Sequence, residues 1–164
     1  MGNSISVGMG ELAATTDRET ELQCLGLGSC IAVCMYEKRL RWGLMVHVVL
    51  PSTNKKDGAL PGKYADTAIP LILSEMQRAG VRSEQARVVL CGGAAIFPSL
   101  EGIMDIGQRN LQAVREGLRA HGLRVVKEEV GGRESRTLSL HVGTGQVRMR
   151  TVRTGEQVLV NLGE

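Results

Sequence analysis

A cysteine closing a glycine-rich turn and a histidine seventeen residues further on are the side chains of this sequence best matched for chemistry. Cys30 ends the run Leu25-Gly26-Leu27-Gly28-Ser29-Cys30, and His47 lies within the apolar stretch from Trp42 to Leu50. A thiol beside an imidazole is the minimum set for nucleophilic acyl chemistry: the imidazole takes the thiol proton and the sulfur attacks a carbonyl. An adjacent imidazole is also expected to lower the thiol pKa. Gly26 and Gly28 permit a tight turn with positive φ and close approach of a substrate. N–H groups around Gly28, Ser29 and Cys30 can converge on an oxyanion. Taken singly, each residue has a plainer reading, because a cysteine among apolar residues is usually inert core. The glycines weigh against that reading, since they serve no packing purpose in such a turn.

Two strands must bring the pair together. Ile31 to Tyr36 is β-branched and apolar, and Trp42 to Leu50 is nearly all apolar and too short for a typical core helix. The charged bridge Glu37 to Arg41 makes a hairpin the simplest connection. A turn centred between Lys38 and Arg39 sets Cys34 opposite Gly43, Ala32 opposite Met45, and Cys30 opposite His47. Directly opposed residues share a face, with Cβ atoms about 4.5–5.5 Å apart. A one-residue slip would put thiol and imidazole on opposite faces.

The remaining elements frame this hairpin. Ile5 to Met9 and Glu19 to Leu25 are candidate strands. Ser52 to Lys63 is polar, holds Gly58, Pro61 and Gly62, and reads as a surface loop. Tyr64 to Ala79 carries a helical stripe of Ala65, Ala68, Ile69, Ile72 and Met76, stopped by Gly80. With Asp66 as N-cap, Pro70 predicts a delayed start or a kink. Arg87 to Cys91 is a short buried strand. Asp105, with Gln108 three residues on, opens a second helix whose stripe is Leu111, Val114, Leu118 and His121. Leu123 to Val130 is another strand, and Thr137 to Val142 and Gln146 to Val152 form a last hairpin around Gly143-Thr144-Gly145. Two helices among many hairpin-linked strands predict an α/β (α+β-like) layered sandwich of mixed β-sheet, in a single domain over residues 1–164.

Composition narrows the function classes. The 164 residues include one Trp, two Tyr and one Phe, so Val, Leu, Ile, Met and Ala must build the core. Net charge is +3 with no Lys/Arg-rich run, which gives no reason to propose nucleic acid as a partner. Nothing reads as a signal peptide or a membrane span. Cys24, Cys30, Cys34 and Cys91 lack CxxC spacing, and with His47 they fit no common zinc site. They are expected to be reduced thiols.

At these residues the sequence resembles the chemoreceptor glutamine deamidase CheD family. The matching segments are Leu25 to Cys30, Gly43 to Pro51, Pro61 to Ala68, Gly92-Gly93-Ala94, Ile106-Gly107-Gln108-Arg109-Asn110 and Gly131-Gly132. The resemblance runs from about residue 5 to about residue 152. It implies a cytoplasmic enzyme that hydrolyses glutamine side chains on the cytoplasmic helices of chemoreceptors to glutamate and ammonia; a monomer is the default expectation. Cys30 would be the nucleophile and His47 the base, with no metal and no cofactor. It also implies a CheC-type phosphatase as partner, and a non-catalytic regulator of that phosphatase is the alternative function. The family's third catalytic position is usually Thr, and here it is Cys24. A thiol is a poor acceptor, so the Cys24 main-chain oxygen is the expected orienter of His47.

Overall fold

The computed structural model of the chain describes residues 2–52, 60–96 and 105–164. Among them are ten strands and two α-helices. The strands are β1 (Asn3–Ser6), β2 (Leu12–Thr15), β3 (Thr20–Leu27), β4 (Ile31–Glu37), β5 (Trp42–Val48), β6 (Arg87–Gly92), β7 (Arg124–Val130), β8 (Arg136–His141), β9 (Gln146–Thr151) and β10 (Gly155–Asn161). The helices are α1 (Ala65–Ala79) and α2 (Ile106–Ala120). They form two five-stranded mixed sheets, in the orders β1-β3-β8-β9-β10 and β2-β5-β4-β6-β7.

The second sheet is the middle layer. Every residue of β4 and β5 is buried, because strand alternation sends each face into a different core. Ile31, Val33 and Met35 of β4, with Leu44, Val46 and Val48 of β5, pack under Ala68, Ile72, Val114 and Leu118 of the helices. Ala32, Cys34 and Tyr36, with Met45, face Leu22, Cys24, Leu138 and Leu140 of the other sheet. The Tyr36 hydroxyl donates to the Val142 carbonyl at 2.7 Å and ties the sheets together. This is the layered α/β sandwich that the pattern of elements implied, with both sheets mixed.

Several elements differ in detail. The first candidate strand is displaced to Asn3–Ser6, and Leu12–Thr15 is an additional edge strand paired with β5. β10 is a further strand beyond the expected last hairpin, paired with β9. Helix α1 begins at Ala65 with Tyr64 as N-cap, so neither an Asp66 cap nor a delayed start occurs, and Pro70 lies inside it. α2 is capped as expected, the Asp105 carboxylate accepting from the Gln108 N–H at 2.9 Å. His121 is exposed at the C-cap rather than part of the buried stripe. Most of the polar loop, residues 53–59, lies outside the described residues.

Candidate functional site

The hairpin register is the first determinant of the site. Ile31 pairs with Val48, Ala32 with His47 and Cys34 with Met45. The pairing is therefore displaced by two residues from the expected one, and Ala32, not Cys30, stands opposite His47. The reason is the turn, which is centred one residue later and places Arg41 at φ 51°. An even displacement keeps the faces unchanged. Cys30 immediately precedes β4 and by continuation of the ladder is the diagonal neighbour of His47. Diagonal pairs stand about 7–8 Å apart, somewhat less between Cβ atoms.

His47 is 6% exposed. Its Nδ1 lies 3.0 Å from the Val7 carbonyl oxygen. A carbonyl only accepts, so Nδ1 carries the proton in the neutral ring and Nε2 keeps its lone pair. The orienting acceptor is thus Val7, not the Cys24 oxygen. Val7 is placed by its own N–H, which donates to the Gln23 carbonyl at 2.7 Å where the chain leaves β1 beside β3. The His47 main chain is held on the same side, its N–H donating to Glu11 O and its carbonyl accepting from Gly10 N. Cys24 is fully buried, and its strand position pairs with Leu138 of β8.

Cys30 is partly exposed, whereas the thiols of Cys24, Cys34 and Cys91 are buried. Burial nevertheless raises the Cys30 thiol above its ordinary value, while its own backbone N–H acts in the opposite direction. Burial thus works against the lowering expected from an adjacent imidazole. Burial pushes Cys91 up to about 12 and raises Cys24 and Cys34 as well.

Three consecutive carbonyls fix the Gly28–Cys30 turn. Gly28 O accepts from Ala94 N, Cys30 O from Gly93 N, each at 2.9 Å, and Ser29 O accepts from Asn110 Nδ2 at 2.9 Å. Among the described residues, the N–H groups of Gly28 and Ser29 donate to no side chain, nor to any main-chain carbonyl outside the sheet ladders. The glycines serve in different ways. Gly26 has φ 59° in an irregularity of β3 between Cys24 and Leu27, and its N–H reaches Thr137 Oγ1. Gly28 needs no positive φ, but a Cβ there would stand 3.2 Å from Ile96 Cγ1. At Gly92, φ 116°, a Cβ would stand 2.0 Å from the Cys30 carbonyl oxygen. Only glycine lets β6 approach the Cys30 main chain this closely.

Val7, Gly92 and Asn110 were given no role by the sequence pattern. A main-chain carbonyl leaves no trace in residue type, so Val7 had no signal. Asn110 had one, since it is a polar residue on the apolar stripe of α2. Leu25 and Ile96 are exposed beside the turn. A cavity of 460 Å³ between the β1 and β2 edges and α1 is lined by Val7, Gly10 and Glu11, but by neither Cys30 nor His47. Among the described residues no group of three or more His, Cys, Asp or Glu could hold a metal ion. Nor is any helix there long and apolar enough to cross a membrane.

A partly exposed thiol diagonal to an imidazole of fixed tautomer is the arrangement that thiol-based acyl chemistry would require. The family described as CheD chemotactic sensory transduction matches residues 49–151. A probable chemoreceptor glutamine deamidase CheD of Desulfitobacterium hafniense is 38% identical over 97% of this chain and 100% of its own length. The chemoreceptor glutamine deamidase CheD of Thermotoga maritima is 38% identical over 93% of this chain and 94% of its own. A probable one of Symbiobacterium thermophilum is 41% identical over 94% and 96%. The chain belongs to the CheD family. The family match begins just after His47, whereas the alignments with these relatives omit only a few residues and span both Cys30 and His47.

Proposed function

We propose that this protein is a protein-glutamine deamidase acting on glutamine side chains of chemoreceptors, with Cys30 as nucleophile and His47 as general base and acid. The reading is supported by the names of its relatives and carried by one observation, the Nδ1 bond of His47 to the Val7 carbonyl. That bond turns Nε2 into the free base on the face shared with Cys30. Nε2 takes the thiol proton as sulfur attacks the glutamine Cδ. The N–H groups of Gly28, Ser29 and Cys30 receive the oxyanion. The tetrahedral intermediate collapses to a thioester, and ammonia leaves with the proton from His47. His47 then takes a proton from water, which attacks the thioester, and glutamate and the thiol are released. The Val7 carbonyl stabilises the imidazolium in both half-reactions. Cys24 has no step of its own.

The exposed Leu25 and Ile96 beside the turn offer apolar contact to a side chain presented on a protein surface, in keeping with a receptor helix as substrate. We place the protein in the cytoplasm, where those helices lie, working as a single domain and a monomer. Mass spectrometry of receptor cytoplasmic fragments incubated with the protein tests the reading. Gln-to-Glu conversion is expected with the wild type and is absent with Cys30→Ala. No conversion on receptors of the same organism, together with binding of a CheC-type phosphatase, would move the assignment to a regulator of that phosphatase.

A further inference from the structure

Helix α2 carries a fully buried asparagine on its apolar face. Gly107, Leu111, Val114 and Leu118 are buried on that face, and Asn110 lies among them at 0% exposure. Its Nδ2 donates twice, to Ser29 O and to Val49 O, each at 2.9 Å. Ser29 precedes Cys30, and Val49 follows His47 by two residues. One amide nitrogen therefore joins the two chain ends that carry the thiol and the imidazole.

The join falls where the sheet no longer holds them. Ile31 with Val48 is the last rung between β4 and β5. Beyond it the chain turns away, Val49 N donating to Lys63 O. The first turn of α2 braces the same place from another side. A Cβ at Gly107 would stand 2.6 Å from Gly93 O and 2.8 Å from Ala94 O, and Gly93 and Ala94 are the residues whose N–H groups hold Cys30 O and Gly28 O. The Asn110 Oδ1 is buried and has no hydrogen-bond partner among the described residues. A buried orphan acceptor is unfavourable, so packing alone gives no account of an amide here, whereas its two donated bonds do.

We infer that Asn110 is a positioning residue that locks the Ser29–Cys30 turn to the strand end beyond His47, so that Nε2 can take the thiol proton. This rests on the roles proposed above for Cys30 and His47. Asn110→Asp nearly preserves volume but sets a carboxylate against two carbonyl oxygens. Asn110→Leu preserves bulk without any donor. Both are compared with His47→Gln in the full-length chain. The first readout is carbamidomethylation of Cys30 by iodoacetamide against pH, followed on the Cys30 peptide by mass spectrometry, without receptor. The second is kcat and KM on a receptor fragment, and the third is Tm.

The wild-type alkylation profile should show an inflection that His47→Gln removes, and both Asn110 variants should lose it although His47 is present. Their kcat should fall about 10–100-fold, the scale of a roughly 1 Å misplacement, with KM changed less than about threefold. Retention of the wild-type profile and kcat with only a lowered Tm overturns the inference, as does a wild-type profile indifferent to His47→Gln. If both variants fail to fold, exchange of the Asn110 side-chain amide protons in the wild type decides. Slow exchange, like that of the Ile31 backbone, supports the lock, and exchange as fast as that of an exposed glutamine overturns it. Absence of receptor deamidation would remove the proposed function, while the alkylation profile would still decide the role of Asn110.

Discussion

The two faces of the central hairpin are cut from the same strands and do different work. The face toward the helices carries Ile31, Val33, Met35, Trp42, Leu44, Val46 and Val48, all apolar and buried. The face toward the other sheet holds Ala32, Cys34, Tyr36, Met45 and His47, with Cys30 at its open end. A face closed by helices along its length can only pack. A face closed by a second sheet has an end where the layers part, and there a polar side chain can be held from one side and reached from the other. His47 sits in that place, bonded inward to Val7, with Cys30 partly exposed beside it. On the proposed roles of Cys30 and His47, period-two alternation separates stability from chemistry within one hairpin.

The sharpest test of this division replaces one residue on each face. His47→Gln should reduce the proposed deamidation about 10²–10⁴-fold, the range for a general acid–base group, with a melting temperature close to wild type. Leu44→Ala should cost about 2–5 kcal/mol of stability while the folded fraction keeps its kcat. Initial rates on receptor fragments and urea titrations measure the two. Equal losses of kcat in both variants would mean that the faces are not functionally distinct.

Gly92→Ala should affect both properties, because the added methyl meets the Cys30 carbonyl and the φ of 116° disfavours any side chain. Backbone strain of this kind costs about 1–3 kcal/mol. Relief of the clash would also move the Gly28–Cys30 turn, so Cys30 alkylation should slow in the folded protein. Alkylation at the wild-type rate would show that Cys30 does not depend on its contact with β6.

The four thiols extend the contrast to pH. Cys30 alone should label in the native state, with Cys24, Cys34 and Cys91 labelling only on unfolding. Burial raises all four above their ordinary values. A raised folded pKa means that the unfolded chain loses its protons first. The stabilisation is therefore complete below the unfolded thiol value, about 8.5, and is lost as pH rises through the folded values, the one for Cys91 being about 12. Each buried thiol contributes a loss of up to about 1.4 kcal/mol per pH unit within that window. Cys91→Ala should flatten the alkaline limb of stability against pH, and an unchanged limb would contradict the raised value.

How far the site could be read in advance depended on what kind of atom does the work. The face shared by Cys30 and His47 was legible because alternation survives any even slip of register. The register itself was not, since it is set by a turn in which Arg41 takes a positive φ, and arginine gives no sign of that. β4, β5, β6 and α2 showed themselves through continuous apolar runs or a capped stripe. β2 and β10 did not, because an edge strand with half-exposed residues has little periodicity to display. The expectation that Cys24 orients His47 follows from the position of a threonine in related proteins. The acceptor is a main-chain oxygen, and no residue type encodes where one will fall.

Cys24→Thr should have the smallest effect of all. A threonine hydroxyl at this position is a far better acceptor than a thiol, so a dominant side-chain role would make the variant much faster than wild type. The geometry gives little room for that. Nδ1 has a single proton and already donates it to Val7, while the Cys24 side chain is fully buried among the apolar residues between the sheets. We expect kcat/KM to change less than about threefold, roughly 0.6 kcal/mol of transition-state stabilisation. Nitrogen-15 spectra should keep the His47 proton on Nδ1 in both proteins. A gain beyond about tenfold, or about 1.4 kcal/mol, would show that Val7 is an incomplete orienter and that the side chain at position 24 also sets the pose of the imidazole.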